Sequence, residues 1–166
     1  TRVYTNKELQ YFKKLAKRNK SKYNYPFYSD FHSEEETNLG IGQVFDLVRD
    51  EATGEISKTL EFYLTQDSFI RDDQLQRGLD LLKAQMIKYR VFTRDLRARN
   101  ICCKLSKDHT VELIIIDGIG HRDFFPLADF FTYFSRKKIE RTFVKWHFNT
   151  VEEQLVFLKK EASKIL

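Results

Sequence analysis

The sequence is short of the residues that interrupt, staple or anchor a chain. It has two prolines, two cysteines and six glycines in 166 residues. So few breakers exclude a collagenous or proline-rich linker chain and leave room for long regular elements. The cysteines, Cys102 and Cys103, are neighbours. Adjacent residues on a strand point to opposite faces, so they are not expected to pair with each other. With no Cys-x-x-Cys, a disulfide framework is excluded and a reduced, cytoplasmic setting is expected. Both are read as small hydrophobes in a buried strand. No apolar run reaches the roughly 18 residues of a membrane span, so no membrane is expected as a partner. No signal peptide is evident, and a start at Thr1 rather than Met is read as a missing natural N-terminus. His32, His109 and His147 are scattered without metal-ligand spacing. There is no internal repeat.

What is present points to an ordered, single-domain protein. The chain is 42% hydrophobic, with 15 Phe and 8 Tyr, which predicts an aromatic-rich core. Charged residues make up 32%, with a net charge of +5. Much of the excess lies in "KKLAKRNKSK", Lys13 to Lys22. It falls on the open face and end of a predicted helix, so a solvated face is preferred and nucleic acid is not expected as a partner.

Thr5 and Glu8 have capping-box spacing, and Leu9, Phe12 and Leu15 recur at helical intervals, predicting a helix from about Asn6 to Arg18. "NYPFYSDFH" and "QVFDLVRD", separated by the turn "TNLGIG", read as an antiparallel hairpin. "EATG" is a turn, and "SKTLEFYL", Ser57 to Leu64, a short helix opened by a serine cap. Asp72 or Asp73 caps a long helix reaching about Tyr89, with Leu75, Leu79, Leu82 and Met86 on its apolar face. "NICCKL" and "VELIIID" are strands joined by "SKDH". After Pro126 the pattern is helical. Thr150 and Glu153 open a last helix whose stripe is Leu155, Leu158, Ala162 and Ile165. Trp146 and the Phe124–Phe134 cluster are read as core. The sum is an α+β chain with a helical second half.

One constellation carries chemistry. Phosphoryl transfer needs a carboxylate near the acceptor hydroxyl and oxygen ligands that hold Mg²⁺ against the phosphates. Protein kinases supply these from a His-Arg-Asp-Leu-x-x-x-Asn loop and from an Asp at the end of a later strand. Here the loop reads Thr93-Arg94-Asp95-Leu96-Arg97-Ala98-Arg99-Asn100, with Thr in the His position, and "LIIIDGIG" places Asp117 before Gly118. Asn100 opens the hairpin that ends at Asp117, so both can meet at one metal site. A chance polar turn is the alternative. Arg94, Arg97 and Arg99 either neutralise phosphates or pair with nearby acids and pin the loop. His121 and Asp123 line the substrate side or belong to a plain loop. Glu8 stands where a kinase-like fold places the Glu that pairs with a phosphate-binding Lys; a capping-box role suits it as well.

The segments "TNLGIGQVFDLVRDEATGEISKTLEFYL", "TRDLRARNI" and "IIIDGIG" resemble the PhoP regulatory network protein YrbL family over nearly all 166 residues. The resemblance implies a cytoplasmic, bacterial, protein-kinase-like domain spanning 1–166. Residues 1–54 would form a partial small lobe (helix plus β-hairpin) and hinge, and 55–166 a mainly helical lobe with the catalytic loop. It implies ATP and Mg²⁺ as cofactors. Asp95 and Asn100 would be catalytic, Asn100 and Asp117 would hold the metal, and the backbone of Val48, Arg49 and Asp50 would meet adenine. The phosphate acceptor is not implied. No Gly-rich phosphate loop and no Val-Ala-Ile-Lys-type strand precedes the first helix, "GIG" at Gly40–Gly42 lacks the third glycine, Asp117-Gly118-Ile119 lacks the aromatic, and no Ala-Pro-Glu follows. Phosphotransfer is therefore expected to be impaired in this chain, with a non-catalytic, pseudokinase-like regulatory or interaction module as the alternative. A small lobe cut back in this way would leave an open strand edge suited to a homodimer.

Overall fold

The computed structural model describes residues 2–18, 27–66, 70–108, 110–120 and 131–163, with side chains for all of these but residues 2–7, 16 and 18. Helix α1 (Arg2–Arg18) buries Leu9, Phe12 and Leu15 at helical spacing, as the periodicity predicts. It begins at Arg2, so Thr5 lies within the helix rather than capping it.

The aromatic run expected to form one strand divides in two. Phe27–Ser29 lies parallel to the chain at Ile115: the Ser29 N–H donates to the Ile115 carbonyl at 2.9 Å and the Ile115 N–H to the Phe27 carbonyl at 2.9 Å. Strands β1 (Phe31–Thr37) and β2 (Gly40–Phe45) then form the antiparallel hairpin. The turn is only Asn38–Leu39, so "GIG" opens β2 instead of forming the turn. Gly40 takes φ 111°, which a side chain would resist. The Thr37 hydroxyl fixes the turn by donating to the Gly40 carbonyl at 2.6 Å and accepting from the Leu39 N–H at 3.2 Å. Phe31 and Phe45 pack against Phe12 of α1.

Strand β2 stops at Phe45, short of the predicted Asp50. The chain folds back on itself there: the Asp50 N–H donates to the Glu55 carbonyl at 2.9 Å and the Ser57 N–H to the Val48 carbonyl at 3.1 Å. Helix α2 (Leu60–Thr65) is capped by Thr59, whose hydroxyl oxygen accepts from the Phe62 N–H at 3.3 Å. Ser57, the predicted cap, instead donates its hydroxyl to Asp50 at 2.6 Å.

Helix α3 (Asp72–Tyr89) is the spine of the core. Leu75, Leu79, Leu82 and Met86 are each at most 1% exposed, and burying each is worth roughly 1.5–3 kcal/mol. Arg71 is the N-cap, with Asp72 and Asp73 in the first turn, where the helix dipole favours negative charge. Arg90, at φ 54°, ends it. A 3₁₀ turn (Ala98–Asn100) leads into β3 (Ile101–Leu105), which pairs antiparallel with β4 (Val111–Ile115) from Ile101↔Ile115 to Leu105↔Val111. Both cysteines are buried in β3 and free, and burial pushes both thiol pKa values up.

Helix α4 (Thr132–Lys145) and helix α5 (Val151–Ala162) pack on α3. Thr150 accepts from the Glu153 N–H at 3.1 Å, while the Glu153 carboxylate accepts from the Asn149 N–H at 3.3 Å. This is the predicted box with its return bond shifted by one residue. The buried face of α5 is Val151 and Gln154; Leu155 and Leu158 are half-buried and Ala162 is exposed, while Ile165 lies outside the described residues. Of the aromatic cluster read as core, Phe131, Tyr133 and Phe134 are 55%, 61% and 46% exposed and Trp146 is half-buried; residues 124–130 are outside the described set. Among the described residues the chain is thus α+β, with five α-helices and two two-stranded antiparallel sheets.

Candidate functional site

The site forms where three segments converge: the stretch after α3, the 3₁₀ turn and the stretch after β4. Tyr11 of α1 fixes the first segment. Its phenol oxygen accepts from the Phe92 N–H at 3.1 Å and lies 3.4 Å from the Arg90 carbonyl, to which it donates. Phe92–Arg94 then runs antiparallel to Gly118–Gly120, with the Arg94 N–H donating to the Gly118 carbonyl at 2.8 Å and the Gly120 N–H to the Phe92 carbonyl at 2.8 Å.

Thr93 holds these segments in register. Its hydroxyl donates to the Gly118 carbonyl at 2.9 Å and accepts from the Asp95 N–H at 3.3 Å. One short side chain thus ties the loop carrying Asp95 to the turn carrying Asp117. Gly118, at φ 77°, permits the contact: a Cβ there would meet the Asp95 Cβ at 3.1 Å and the Asp95 nitrogen at 3.3 Å.

Asn100 is buried and donates its side-chain amide to the Asp95 carbonyl at 3.1 Å. Its own carbonyl accepts from the Ile116 N–H at 2.9 Å, one residue before Asp117. The β3–β4 register therefore returns the chain to its start. Asp117 is exposed, with Oδ1 accepting from the Gly118 N–H at 2.6 Å. Two oxygen donors, Asn100 Oδ1 and Asp117 Oδ2, are left without a described protein partner in these contacts. Among the described residues there is no cluster of three or more His, Cys, Asp or Glu that could hold a metal by itself. A two-donor set fits Mg²⁺, which is commonly held by one or two protein oxygens together with phosphates and water.

The arginines pair with acids. Arg94 lies 3.4 Å from the Glu8 carboxylate, with both side chains under 20% exposed. Arg97 Nε lies 2.8 Å from Asp95 Oδ1, and its guanidinium sits 5.0 Å over the Trp146 ring. That contact lacks the alignment of a hydrogen bond, so the buried Oδ1 is ion-paired but has no hydrogen-bond donor among the described residues. The Asp95 side chain is nonetheless 34% exposed, so with Oδ1 enclosed the other carboxylate oxygen, Oδ2, is the one a hydroxyl can reach. Arg99 is exposed.

Glu8 neither caps α1 nor meets a lysine among the described residues. Burial raises its pKa, helped by the charge of Asp117 and opposed by Arg94 and by the amides of Ile119 and Gly118. At the expected hinge, the Val48 carbonyl and Asp50 N–H are taken up by the local turn. The buried Asp50 carboxylate accepts from the Ser57 hydroxyl at 2.6 Å and the Leu105 N–H at 3.0 Å. The Arg49 side chain donates to the Gly54 carbonyl at 2.9 Å. His121 and Asp123 lie outside the described residues. A cavity of 680 Å³ beside His147, Thr150 and Phe157 contains none of the candidate residues. The sequence reading missed the anchors Tyr11 and Trp146, whose partners lie 81 and 49 residues away and leave no local signature.

The turn-bound Asp–Asn pair, the strand-end Asp beside it and the α+β frame define a chain built around one hairpin-closed polar site. The chain belongs to the PhoP regulatory network protein YrbL family, whose model matches residues 1–150. It is 32% identical over 136 residues to the uncharacterized protein YrbL of Escherichia coli (strain K12), covering 81% of this chain and 63% of that protein. The uncharacterized protein YrbL of Shigella flexneri matches to the same extent. The chain thus spans less than two thirds of the length of these relatives. No described helix is long and apolar enough to cross a membrane.

Proposed function

We propose that this chain is a kinase-like phosphotransferase domain that uses ATP and Mg²⁺. The reading rests on one observation: the Asp95–Asn100 bond and the Asp117–Gly118 turn lie against each other at the open end of the β3–β4 hairpin, away from its turn. Asp95 orients the acceptor hydroxyl and takes its proton through Oδ2, while Arg97 holds Oδ1. Asn100 keeps Asp95 in place with its amide nitrogen, and its amide oxygen and a carboxylate oxygen of Asp117 would hold the metal. Bound Mg²⁺ would neutralise charge on the transferring phosphoryl group. Adenine would meet the backbone of Leu47 and Arg49, since the Val48 carbonyl and Asp50 N–H are already bonded.

The test is thermal unfolding of the full-length protein with ATP and Mg²⁺. Ligand at a hundred times its Kd should add about 2.7 kcal/mol, or roughly 5–10 °C for a domain of this size. An Asp117→Ala variant should lose most of that gain. No shift, or an equal shift in the variant, overturns the reading.

A non-catalytic regulatory module is the second reading. It is favoured by Glu8, which is engaged by Arg94 where phosphate-binding chemistry calls for a lysine. ATP stabilisation without phosphate transfer to any acceptor, including water, would select it.

A further inference from the structure

We propose that the phosphate acceptor is an acidic peptide segment, guided to Asp95 by a row of cations on α4. This inference rests on the phosphotransferase reading of Asp95. Lys137, Arg141 and Lys145 follow one another at four-residue intervals, so they line one face of α4 over about 12 Å. All three are exposed, and no ion pair engages them among the described residues. They border an open groove of 440 Å³ together with Glu140 and Val144.

The row leads to the site. The Lys145 ammonium sits 5.0 Å from the centre of the Trp146 ring, and the Arg97 guanidinium is 5.0 Å from the centre of the same ring. Arg97 in turn lies 2.8 Å from Asp95. One indole therefore links the cationic face to the candidate base. A small anion would not span the row. An extended chain rises about 3.3 Å per residue, so four or so residues with acidic side chains would cover it while a hydroxyl-bearing residue reached Asp95.

The lining favours peptide over nucleic acid. Glu140 would repel a continuous phosphate backbone, and exposed Val144 offers an apolar contact that a mixed peptide can use. The nearby Tyr133 ring already carries the Lys137 ammonium at 4.7 Å, so one of its faces is not open to a stacking base.

The experiment measures fluorescence anisotropy of the full-length protein with a labelled peptide carrying one serine beside a run of glutamates. The same peptide with glutamines and an oligothymidylate of similar length serve as comparators. The acidic peptide should bind best, weaken as salt rises, and lose about tenfold in affinity when Lys137, Arg141 and Lys145 are all changed to alanine. Unchanged affinity in that variant, or tighter binding of the oligonucleotide, overturns the proposal. Phosphate transfer is scored separately. Wild-type protein that phosphorylates the neutral peptide as well as the acidic one overturns the cationic row and spares the phosphotransferase reading. Binding through the three cations with no transfer to any peptide does the reverse.

Discussion

Burial raises the Glu8 pKa, the negative charge of Asp117 adds to the rise, and Arg94 with the Ile119 and Gly118 amides pulls it back. A carboxyl whose pKa is higher folded than unfolded holds more proton in the folded state. Its contribution is fully present below the unfolded value, about 4.3, and is lost as pH rises through the folded value. Wild-type stability relative to Glu8→Gln should therefore fall with rising pH above ~4.3, no faster than about 1.4 kcal/mol per pH unit for one proton. Denaturant unfolding of both proteins across mildly acidic to neutral pH measures this. A difference that stays flat shows that Arg94 and the amides balance burial and Asp117, and one that grows with pH shows that they outweigh them. At this scale the sequence displayed the charged groups but not their partners. The nearness of Asn100 to Asp117 was legible because a hairpin of matching strand lengths had to bring its two ends together. The pairing of Arg94 with Glu8 was not, because it joins residues 86 positions apart on a helix and a loop.

At the scale of elements, α3 and the β3–β4 hairpin were legible almost to the residue, since strong apolar periodicity leaves little choice. The first hairpin was misread where sequence signals conflicted. The predicted first strand ended at His32, yet β1 continues through Glu34, Glu35 and Glu36, which are exposed and solvated by water. The "GIG" glycines argued for a turn, yet only Gly40 needs a positive φ. Asp50 was read for its backbone alone, and its carboxylate is a buried acceptor joining the turn before α2 to the end of β3. The approach of α3 to β4 depends on Gly78. A Cβ there would meet Leu113 Cγ at 3.1 Å and the Val111 carbonyl oxygen at 3.2 Å. The side chain can yield but the carbonyl belongs to the β4 ladder and yields little. Gly78→Val should cost about 1–3 kcal/mol by overpacking, read as a lower urea midpoint with an unchanged slope. An unchanged midpoint would mean that α3 and β4 are free to move apart.

At the scale of the whole molecule the two sheets differ in how they are supported. The strands β3 and β4 are buried along nearly their whole length and lie against α2 and α3. Among the described residues the strands β1 and β2 form a two-stranded sheet of their own, with Phe31 and Phe45 packed against Phe12. Leu39 and Ile41 remain 94% and 66% exposed. An isolated two-stranded hairpin is marginal in water, so β1–β2 should open without unfolding the rest, while β3–β4 opens only with the core. Hydrogen exchange should then show amides of Glu34–Glu36 and Ile41–Val44 exchanging at least about a hundredfold faster than those of Cys102–Lys104 and Leu113–Ile115, a gap of ~2.7 kcal/mol in opening free energy. Equal protection in monomeric protein would mean that some further segment covers the hairpin. Protection of Ile41–Val44 that grows with protein concentration would instead place a second copy on the β2 edge. That edge suits such pairing better than β1, because Gly40–Phe45 carries no charge and β1 carries three glutamates.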